Sequence, residues 1–392
     1  MGHSYTDSMI RAGAGISASA DGRKAVEEAA TGALAGAGGA DLAVLFATPG
    51  FQQPLASLLA AAVDVLGTQV VVGASTHGVL AAGIECERRA SVAVMALAEI
   101  DARAFLIPEV CGEEARVGAE IAARIPDGPE AEDLVVLFPD PRLDAAALVR
   151  GIDADLGPAR VVGAGAADPA QSSPTQWCGR QVETGAVAGV VIRGARARVG
   201  VTQACRPTTE LLSVTRVEGN WVLELDGRPA LDVYREAALG TLADDLPRAA
   251  AFVLVALPSD ASASLRPGSY RVRHVIGFSP ESRAFALPEA VGRGQQIALA
   301  IREPEAARVD LKAMLAELRE ARPALGLYFN CCARGSSFFG VPGLEAAYLD
   351  HAFADAPIAG MFGSYEIGPI GDSSGRRTEL LTYTGVLALV DG

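Results

Sequence analysis

A strand–helix–strand–strand pattern occurs three times along this chain and limits its fold more than any other feature. In each copy, an apolar run rich in branched residues has a phenylalanine near its end, and a stretch with helical apolar spacing follows. The next apolar run contains a glycine, and a third run closes the copy. The repeated pairs are Phe46 and Gly73, Phe138 and Gly163, and Phe329 and Gly360. The repeat predicts an α/β fold in which β-α-β-β units form mixed sheets covered by helices.

The elements of the three copies can be placed from these periodicities. The first copy has strands at 41–48, 70–75 and 91–97 and a helix at 51–66. The second has strands at 133–138, 161–166 and 185–192 and a helix at 143–156. The third has strands at 324–330, 357–362 and 384–390 and a helix at 344–353. Further helices are predicted at 23–34, 230–236 and 310–321, with strands at 187–201 and 221–225.

The region between the second and third copies follows a different pattern. Strand-like runs at 250–257, 272–278 and 296–302 predict a β-rich connector, because no clear helix separates the first two. A turn at Asp226 and Gly227, followed by Pro229, predicts a boundary. With 392 residues the chain is long enough for more than one domain, and we divide it into residues 1–228 and 229–392.

Composition and charge exclude several classes of protein. Lys and Arg total 33 against 47 Asp and Glu, a net charge of −14, which argues against nucleic acid or an anionic membrane as partner. No apolar run reaches the ~18 residues of a membrane span, and the first residues lack the apolar core of a secretory signal. The six cysteines fit neither a zinc site nor a disulfide framework, so we expect a cytoplasmic protein that binds no metal.

Each copy leaves its glycine-containing strand through a loop rich in small residues. These loops cover residues 73–78, 163–168 and 360–368. Ligands of open α/β sheets bind beyond the carboxyl ends of strands, where small residues allow close approach, so the three loops could line one cavity. Alternatively, the glycines only permit tight turns. The loops match no phosphate-binding motif, and we therefore expect no nucleotide cofactor.

The largest group of neighbouring side chains that could be reactive follows the first strand of the third copy. Cys331 comes directly after this strand, where helix N–H groups and Arg334 would lower the pKa of a thiol and make it nucleophilic. His77 is the one attractive base among the four histidines. The competing interpretation, which we favour, is that Cys331 and Cys332 are buried and unreactive.

Charged residues in the same loops suggest a binding site. Arg334 and Glu366 each follow a strand among small residues, where a bare charge needs a partner. Together with Asp168, they could recognise the carboxylate and ammonium groups of a small zwitterion. The alternative is a structural ion pair between Arg334 and Glu366 that ties the third copy together.

The loops resemble those of the FIST family, which carries N-terminal and C-terminal FIST domains. The resemblance runs from about Asp41 to the end of the chain. Its N-terminal motifs are Gly73-Ala74-Ser75-Thr76-His77-Gly78 with Glu85, Val162-Gly163-Ala164-Gly165-Ala166-Ala167-Asp168, Val214-Thr215 and Leu225-Asp226-Gly227-Arg228-Pro229-Ala230. Its C-terminal motifs are Cys331-Cys332-Ala333-Arg334-Gly335, Gly360-Met361-Phe362-Gly363-Ser364-Tyr365-Glu366-Ile367-Gly368-Pro369 and Tyr383-Thr384-Gly385-Val386.

The resemblance implies a stand-alone bacterial sensory protein that binds a small ligand, with amino acids as the suspected ligands. It favours a binding protein over an enzyme, and a separate signalling protein as a possible partner. The alternative is a cysteine-dependent enzyme that uses Cys331 on an amide, ester or thioester. The candidate ligand-binding residues are Ser75, Thr76, His77, Gly78, Asp168, Cys331, Arg334, Gly335, Tyr365 and Glu366.

Overall fold

The fold is described from a computed structural model of the chain. It describes residues 10–125, 132–156, 161–168, 173–238, 240–259, 265–266, 268–371 and 377–392. Mixed sheets covered by helices confirm the predicted α/β class.

The repeat is longer than the sequence pattern indicated, because a strand and a helix precede each predicted copy. Unit 1 (residues 11–98) contains β1 (Arg11–Ser17), α1 (Gly22–Ala37), β2 (Leu42–Ala47), α2 (Leu55–Leu66), β3 (Val71–Ser75), β4 (Gly78–Ala81), β5 (Ile84–Glu87) and β6 (Val92–Ala98). Unit 2 (residues 102–192) contains β7 (Ala102–Ile107), α3 (Glu114–Ala123), β8 (Leu134–Pro139), α4 (Ala145–Leu156), β9 (Val161–Ala164), β10 (Gln176–Cys178), β11 (Gln181–Glu183) and β12 (Val187–Ile192).

Unit 3 has the same order but is interrupted after its first strand, β13 (Ala197–Gln203). The inserted segment (residues 205–302) contains β14 (Cys205–Pro207), β15 (Leu212–Glu218), β16 (Trp221–Leu225), β17 (Arg228–Pro229), α5 (Ala230–Ala238), α6 (Leu246–Ala249), β18 (Val253–Pro258), β19 (Tyr270–Arg273), β20 (Gly277–Ser279), β21 (Ala284–Ala286) and β22 (Gln296–Arg302). Unit 3 resumes with α7 (Pro304–Leu318), β23 (Pro323–Cys331), α8 (Ser336–Phe339), α9 (Leu344–Ala352), β24 (Ile358–Gly363), β25 (Glu366–Ile370), β26 (Arg377–Leu381) and β27 (Thr384–Asp391).

Each unit builds one six-stranded sheet with the same plan. The sheet orders are β1-β6-β2-β3-β10-β11, β7-β12-β8-β9-β25-β26 and β13-β27-β23-β24-β4-β5. Two parallel strands, connected by a helical segment, lie at the centre of each sheet. The last strand of the unit pairs antiparallel with the first of these two strands. The strands of the inserted segment form a separate nine-stranded sheet, as expected for a β-rich connector.

The repeated glycine has a steric reason. Gly73, Gly163 and Gly360 stand opposite Leu45, Leu137 and Tyr328, respectively, in the parallel pairs. A Cβ atom on any of the three glycines would overlap with the carbonyl oxygen of that opposite residue. The close approach of the two strands therefore requires glycine at this position in all three units.

The units are tied together by an exchange of hairpins. Hairpin β4–β5 of unit 1 pairs with β24 of unit 3, and hairpin β10–β11 of unit 2 pairs with β3 of unit 1. Hairpin β25–β26 of unit 3 pairs with β9 of unit 2. The N- and C-terminal regions of the chain thus share sheets. Arg228 and Pro229 lie together in β17, and the domain boundary at this point stays a prediction.

The repeated phenylalanines meet between the three sheets. The ring centroids of Phe46 and Phe138 are 5.5 Å apart, and those of Phe138 and Phe329 are 6.2 Å apart. All three rings belong to one buried cluster with inward-facing residues of the three sheets. Smaller clusters fill the space between each sheet and its own helices, so each sheet is covered on both faces.

The structure differs from the sequence prediction in several elements. Strands β1, β4, β7 and β10 and helix α3 were not predicted, because they are short, small-residue or partly polar segments without a clear period. Helix α7 begins at Pro304 rather than 310. Glu366 was expected in a loop but begins β25, where it pairs with Ala164 of unit 2. This pairing depends on another unit, which local sequence cannot indicate.

Candidate functional site

The three small-residue loops lie against each other at the carboxyl ends of the parallel strands. The amide of His77 and the hydroxyl of Thr76 donate to the carbonyl of Phe362, at 3.1 and 2.8 Å. The amide of Ala167 donates to the carbonyl of Ser75, at 2.9 Å, which joins the loops of units 1 and 2. The loop of unit 1 therefore contacts both of the others.

A pocket of about 230 Å³ opens beside the loop of unit 1; we call it the unit 1 pocket. Two of the predicted site residues, Ser75 and Asp168, line it. Its other polar walls come from Thr48, Gln53, Ser173 and Thr175, and its apolar walls include Phe51, Leu55, Leu58 and Trp177. The volume lies just below the ~300–1,000 Å³ range of drug-sized sites, so the pocket suits a small metabolite.

The unit 1 pocket also includes the first turn of α2. Leu55 and Leu58 line the pocket, and Pro54 occupies the N-cap position. Within the described residues, no side chain caps this helix end. The amides of Ser57 and Leu58 donate to the carbonyl of Pro54, which leaves those of Leu55 and Ala56 for another acceptor. The start of α2 therefore brings a partial positive charge to the pocket, and the Asp168 carboxylate brings a negative charge.

Arg334 lies instead in a fully buried network within unit 3. Its side chain is 0% exposed, and its Nη2 atom lies 2.5 Å from Oε1 of Glu345. The hydroxyl of Tyr328 donates to the same oxygen at 3.0 Å, and the amide of Asn330 donates to the other. The structural ion pair considered from the sequence is present, but its carboxylate belongs to Glu345 rather than Glu366.

Glu366 is also fully buried but has different partners. Its Oε2 atom accepts hydrogen bonds from the hydroxyl and the amide of Thr384, at 2.6 and 3.2 Å. Burial raises the pKa of Glu366 well above its ordinary value, and the nearby Cys331 adds to the shift. Direct ligand contact by Arg334 and Glu366 stays a prediction, and it would require both side chains to become exposed.

The remaining predicted residues have clear structural surroundings. Burial lowers the pKa of His77, against the opposing effects of Asp168 and Glu87. Gly335 packs against the Glu87 carboxylate, which accepts a hydrogen bond from the amide of Ser336 at 2.8 Å, and a Cβ atom at 335 would overlap with it. Glu85 binds the start of α9 through the amides of Gly343 and Ala346.

The surroundings of Cys331 differ from those expected of an activated nucleophile. Cys331 is 4% exposed, and its pKa is raised well above the ordinary value by a hydrogen bond with Cys332 and by burial. The same hydrogen bond lowers the pKa of Cys332, which was not part of the predicted motif. Thr48, Asp140 and Cys331 each follow a repeated phenylalanine by two residues, and Thr48 and Asp140 accept hydrogen bonds from the amides of Ser91 and Gly185. This position has a structural role in units 1 and 2.

We expect Cys331 to resist alkylation in the folded protein. Its thiol is buried and protonated, so iodoacetamide should modify it on the order of 100-fold more slowly than the exposed Cys111. Pulse alkylation followed by peptide mass spectrometry measures both rates in one sample. Modification of Cys331 as fast as Cys111, with an apparent pKa below ~8.5, would favour the cysteine-enzyme alternative.

The described ranges contain neither a cluster of metal ligands nor a membrane-spanning helix. No group of three or more His, Cys, Asp or Glu side chains there is placed to hold a metal ion. Among the same residues, no helix has the length and apolar character needed to cross a bilayer.

Comparison with known proteins places these features in a family. The FIST N domain matches residues 41–228 and the FIST C domain matches residues 230–369. The chain therefore belongs to the FIST family, whose domains are generally regarded as sensory or signal-transduction domains.

Relatives extend along nearly the whole chain. An uncharacterized protein of Mycobacterium tuberculosis is 31% identical over 372 residues, which cover 92% of this chain and 95% of that protein. An uncharacterized protein of Mycobacterium bovis is 29% identical over 389 residues, which cover 97% and 98%, respectively. The inserted segment thus lies within the matched length.

Proposed function

We propose that this protein is a cytoplasmic sensory protein that binds a small polar metabolite, such as an amino acid, in the unit 1 pocket. The observation that carries the proposal is the composition of this pocket. It combines the Asp168 carboxylate, several hydroxyl groups and the uncapped start of α2 around about 230 Å³ of space. The ammonium group of a zwitterion would bind near Asp168, and its carboxylate would bind at the helix N-terminus.

The connections of the unit 1 pocket support a sensory role. Thr175 lines the pocket and is followed directly by β10, which belongs to unit 2 but pairs with β3 of unit 1. A ligand that contacts Thr175 therefore touches the connection between two units. It would shift the protein toward one arrangement of these units if it bound that arrangement better. A separate signalling protein would respond to the favoured arrangement.

The test is a thermal-shift screen of the protein against the amino acids and common small metabolites. A ligand present at 100 times its dissociation constant adds ~2.7 kcal/mol to the free energy of unfolding. Replacing Asp168 by asparagine removes a charge-assisted hydrogen bond, so we expect an affinity loss of about tenfold or more. Asp355→Asn is the matched control, because Asp355 is exposed and does not line the unit 1 pocket.

Two outcomes would contradict the proposal. The first is a stabilising ligand that binds wild type and the Asp168→Asn variant equally well, which would place its site elsewhere. The second is the absence of any shift across the panel for wild type, confirmed by isothermal titration with the same compounds.

A further inference from the structure

Two structurally equivalent positions flank the carboxyl end of the parallel pair in each sheet. Position A follows the repeated glycine by two residues and is occupied by Ser75, Gly165 and Phe362 in units 1, 2 and 3. Position B is the residue of the hairpin that comes opposite position A when the strand register is continued by one residue. It is occupied by Thr175 and Tyr365, which directly precede β10 and β25, and by Gly78, which begins β4. The amides of Ser75 and Gly165 donate to the carbonyls of Thr175 and Tyr365, at 2.9 and 3.0 Å.

In units 2 and 3, these positions hold one aromatic ring and one glycine, in opposite arrangements. In unit 2 the ring is at position B, and a Cβ atom on Gly165 would lie 2.6 Å from the Cε1 and Cζ atoms of Tyr365. In unit 3 the ring is at position A, and a Cβ atom on Gly78 would lie 3.1 Å from the Cδ2 atom of Phe362. The glycine in each pair therefore makes room for the ring.

Both rings are packed into the apolar space between their sheet and its helices. Tyr365 is 7% exposed and belongs to the buried cluster under α3 and α4, and Phe362 is 1% exposed and belongs to the cluster under α7 and α9. In units 2 and 3, an aromatic side chain of the protein itself thus fills the space beside positions A and B.

Unit 1 has neither a ring nor a glycine at these positions. Ser75 and Thr175 are both small and polar, and the amide of Thr175 donates to the hydroxyl of Ser75 at 2.9 Å. Both residues line the unit 1 pocket, next to Phe51 and the fully buried Trp177. The pocket therefore lies where the other two units place an aromatic side chain.

We propose that the ligand of the unit 1 pocket carries an aromatic ring, which occupies the place that the rings of Tyr365 and Phe362 occupy in the other units. This inference rests on the proposed function and narrows its ligand class. An apolar cavity of ~150 Å³ is large enough to bind benzene, so about 230 Å³ accommodates a ring with a small polar substituent. Phe51 supplies an aromatic face for the ring, Trp177 packs in the pocket wall, and Asp168 supplies a hydrogen-bonding group for the substituent.

The test introduces the ring-and-glycine pairs of units 2 and 3 at positions A and B of unit 1; we call the products the filled variants. The double variant Ser75→Gly/Thr175→Tyr copies unit 2, and Ser75→Phe/Thr175→Gly copies unit 3. The probes are phenol and L-phenylalanine, with L-leucine as the aliphatic comparison, measured by titration calorimetry. Thr31→Tyr is the control, because it adds the same ring at an exposed position of α1.

We expect one equivalent of phenol or L-phenylalanine to bind wild type and the Thr31→Tyr control with equal affinity. Each filled variant should lose at least tenfold in affinity. The reverse variant, Gly165→Ser/Tyr365→Thr, should empty the site in unit 2 and bind a second equivalent of phenol. Unchanged phenol affinity in a folded filled variant would overturn the proposal.

A second readout needs no variant to fold. The chain has two tryptophans, Trp177 in the pocket wall and Trp221 in the inserted sheet, so indole NMR signals report on the two places separately. Phenol should shift the Trp177 signal and leave that of Trp221 unchanged, and a shift of Trp221 alone would contradict the inference. If wild type binds only non-aromatic metabolites and the filled variants lose them, the ring inference fails while the proposed function stands. If wild type binds no compound, both fail.

Discussion

Replacing Arg334 by alanine should lower the free energy of unfolding by about 3–5 kcal/mol, the usual cost of removing one partner from a buried ion pair. The Glu345 carboxylate would remain 1% exposed without its cation, and among the described residues only Tyr328 and Asn330 would still donate to it. Urea denaturation monitored by circular dichroism measures the effect.

Two comparison variants isolate the buried charge. Arg228→Ala removes the ion pair with Glu236, whose side chains are 53% and 62% exposed, and should cost less than about 1 kcal/mol. Arg334→Met combined with Glu345→Leu removes both charges and should recover much of the loss. If Arg334→Ala retained full stability but lost ligand binding, the sequence-based prediction of ligand contact would be correct and the structural role would be secondary.

Replacing Gly360 by alanine should also be strongly destabilising, by about 3 kcal/mol, at the upper end of the usual cost of overpacking. The new Cβ atom would overlap with the carbonyl oxygen of Tyr328, which belongs to backbone in the middle of a six-stranded sheet. To remove this overlap, strands β23 and β24 would have to move apart. The buried side chains on both faces of the sheet would have to move with them. Chemical denaturation gives the change directly.

Gly292→Ala is the matched control, because its Cβ atom would have no atom within 4 Å. We expect its effect on stability to stay within about 0.5 kcal/mol. Gly73→Ala should resemble Gly360→Ala, since Leu45 stands in the place of Tyr328. If Gly360→Ala and Gly73→Ala had effects as small as that of Gly292→Ala, the parallel strands would be able to move apart at little cost, and the steric argument would be wrong.

The sequence was most informative where local residue order and local structure coincide. Strands β16 and β22 have the predicted bounds, and β2, β3 and β8 differ from them by a residue or two. The spacing of phenylalanine and glycine also identified equivalent positions correctly, because steric demands at the centre of each sheet allow few alternatives. Short strands such as β4 and β10 were missed because their pairing partners lie in other units.

The candidate site was predicted only in part. Ser75 and Asp168 were predicted because small and acidic residues after strands suggest binding loops. Both line the unit 1 pocket, and their contact with a ligand stays a prediction. Thr175 and Trp177 were missed, although Trp177 is one of two tryptophans in the chain. They approach the pocket only because a hairpin of unit 2 joins the sheet of unit 1. Arg334 and Glu366 were chosen for their charge, and the sequence carried no information on their complete burial.

A threefold α/β repeat with a β-rich connector could be predicted from the sequence, since hydrophobic period and glycine spacing are local properties. The sequence also identified the family. Four features became visible only in the folded chain: the interruption of unit 3 by the inserted segment, the exchange of hairpins between units, the pairing of Arg334 with Glu345, and the open position in unit 1 that aromatic rings fill in units 2 and 3. These features depend on contacts between residues far apart in the chain, where burial and steric fit, rather than local pattern, decide which groups meet.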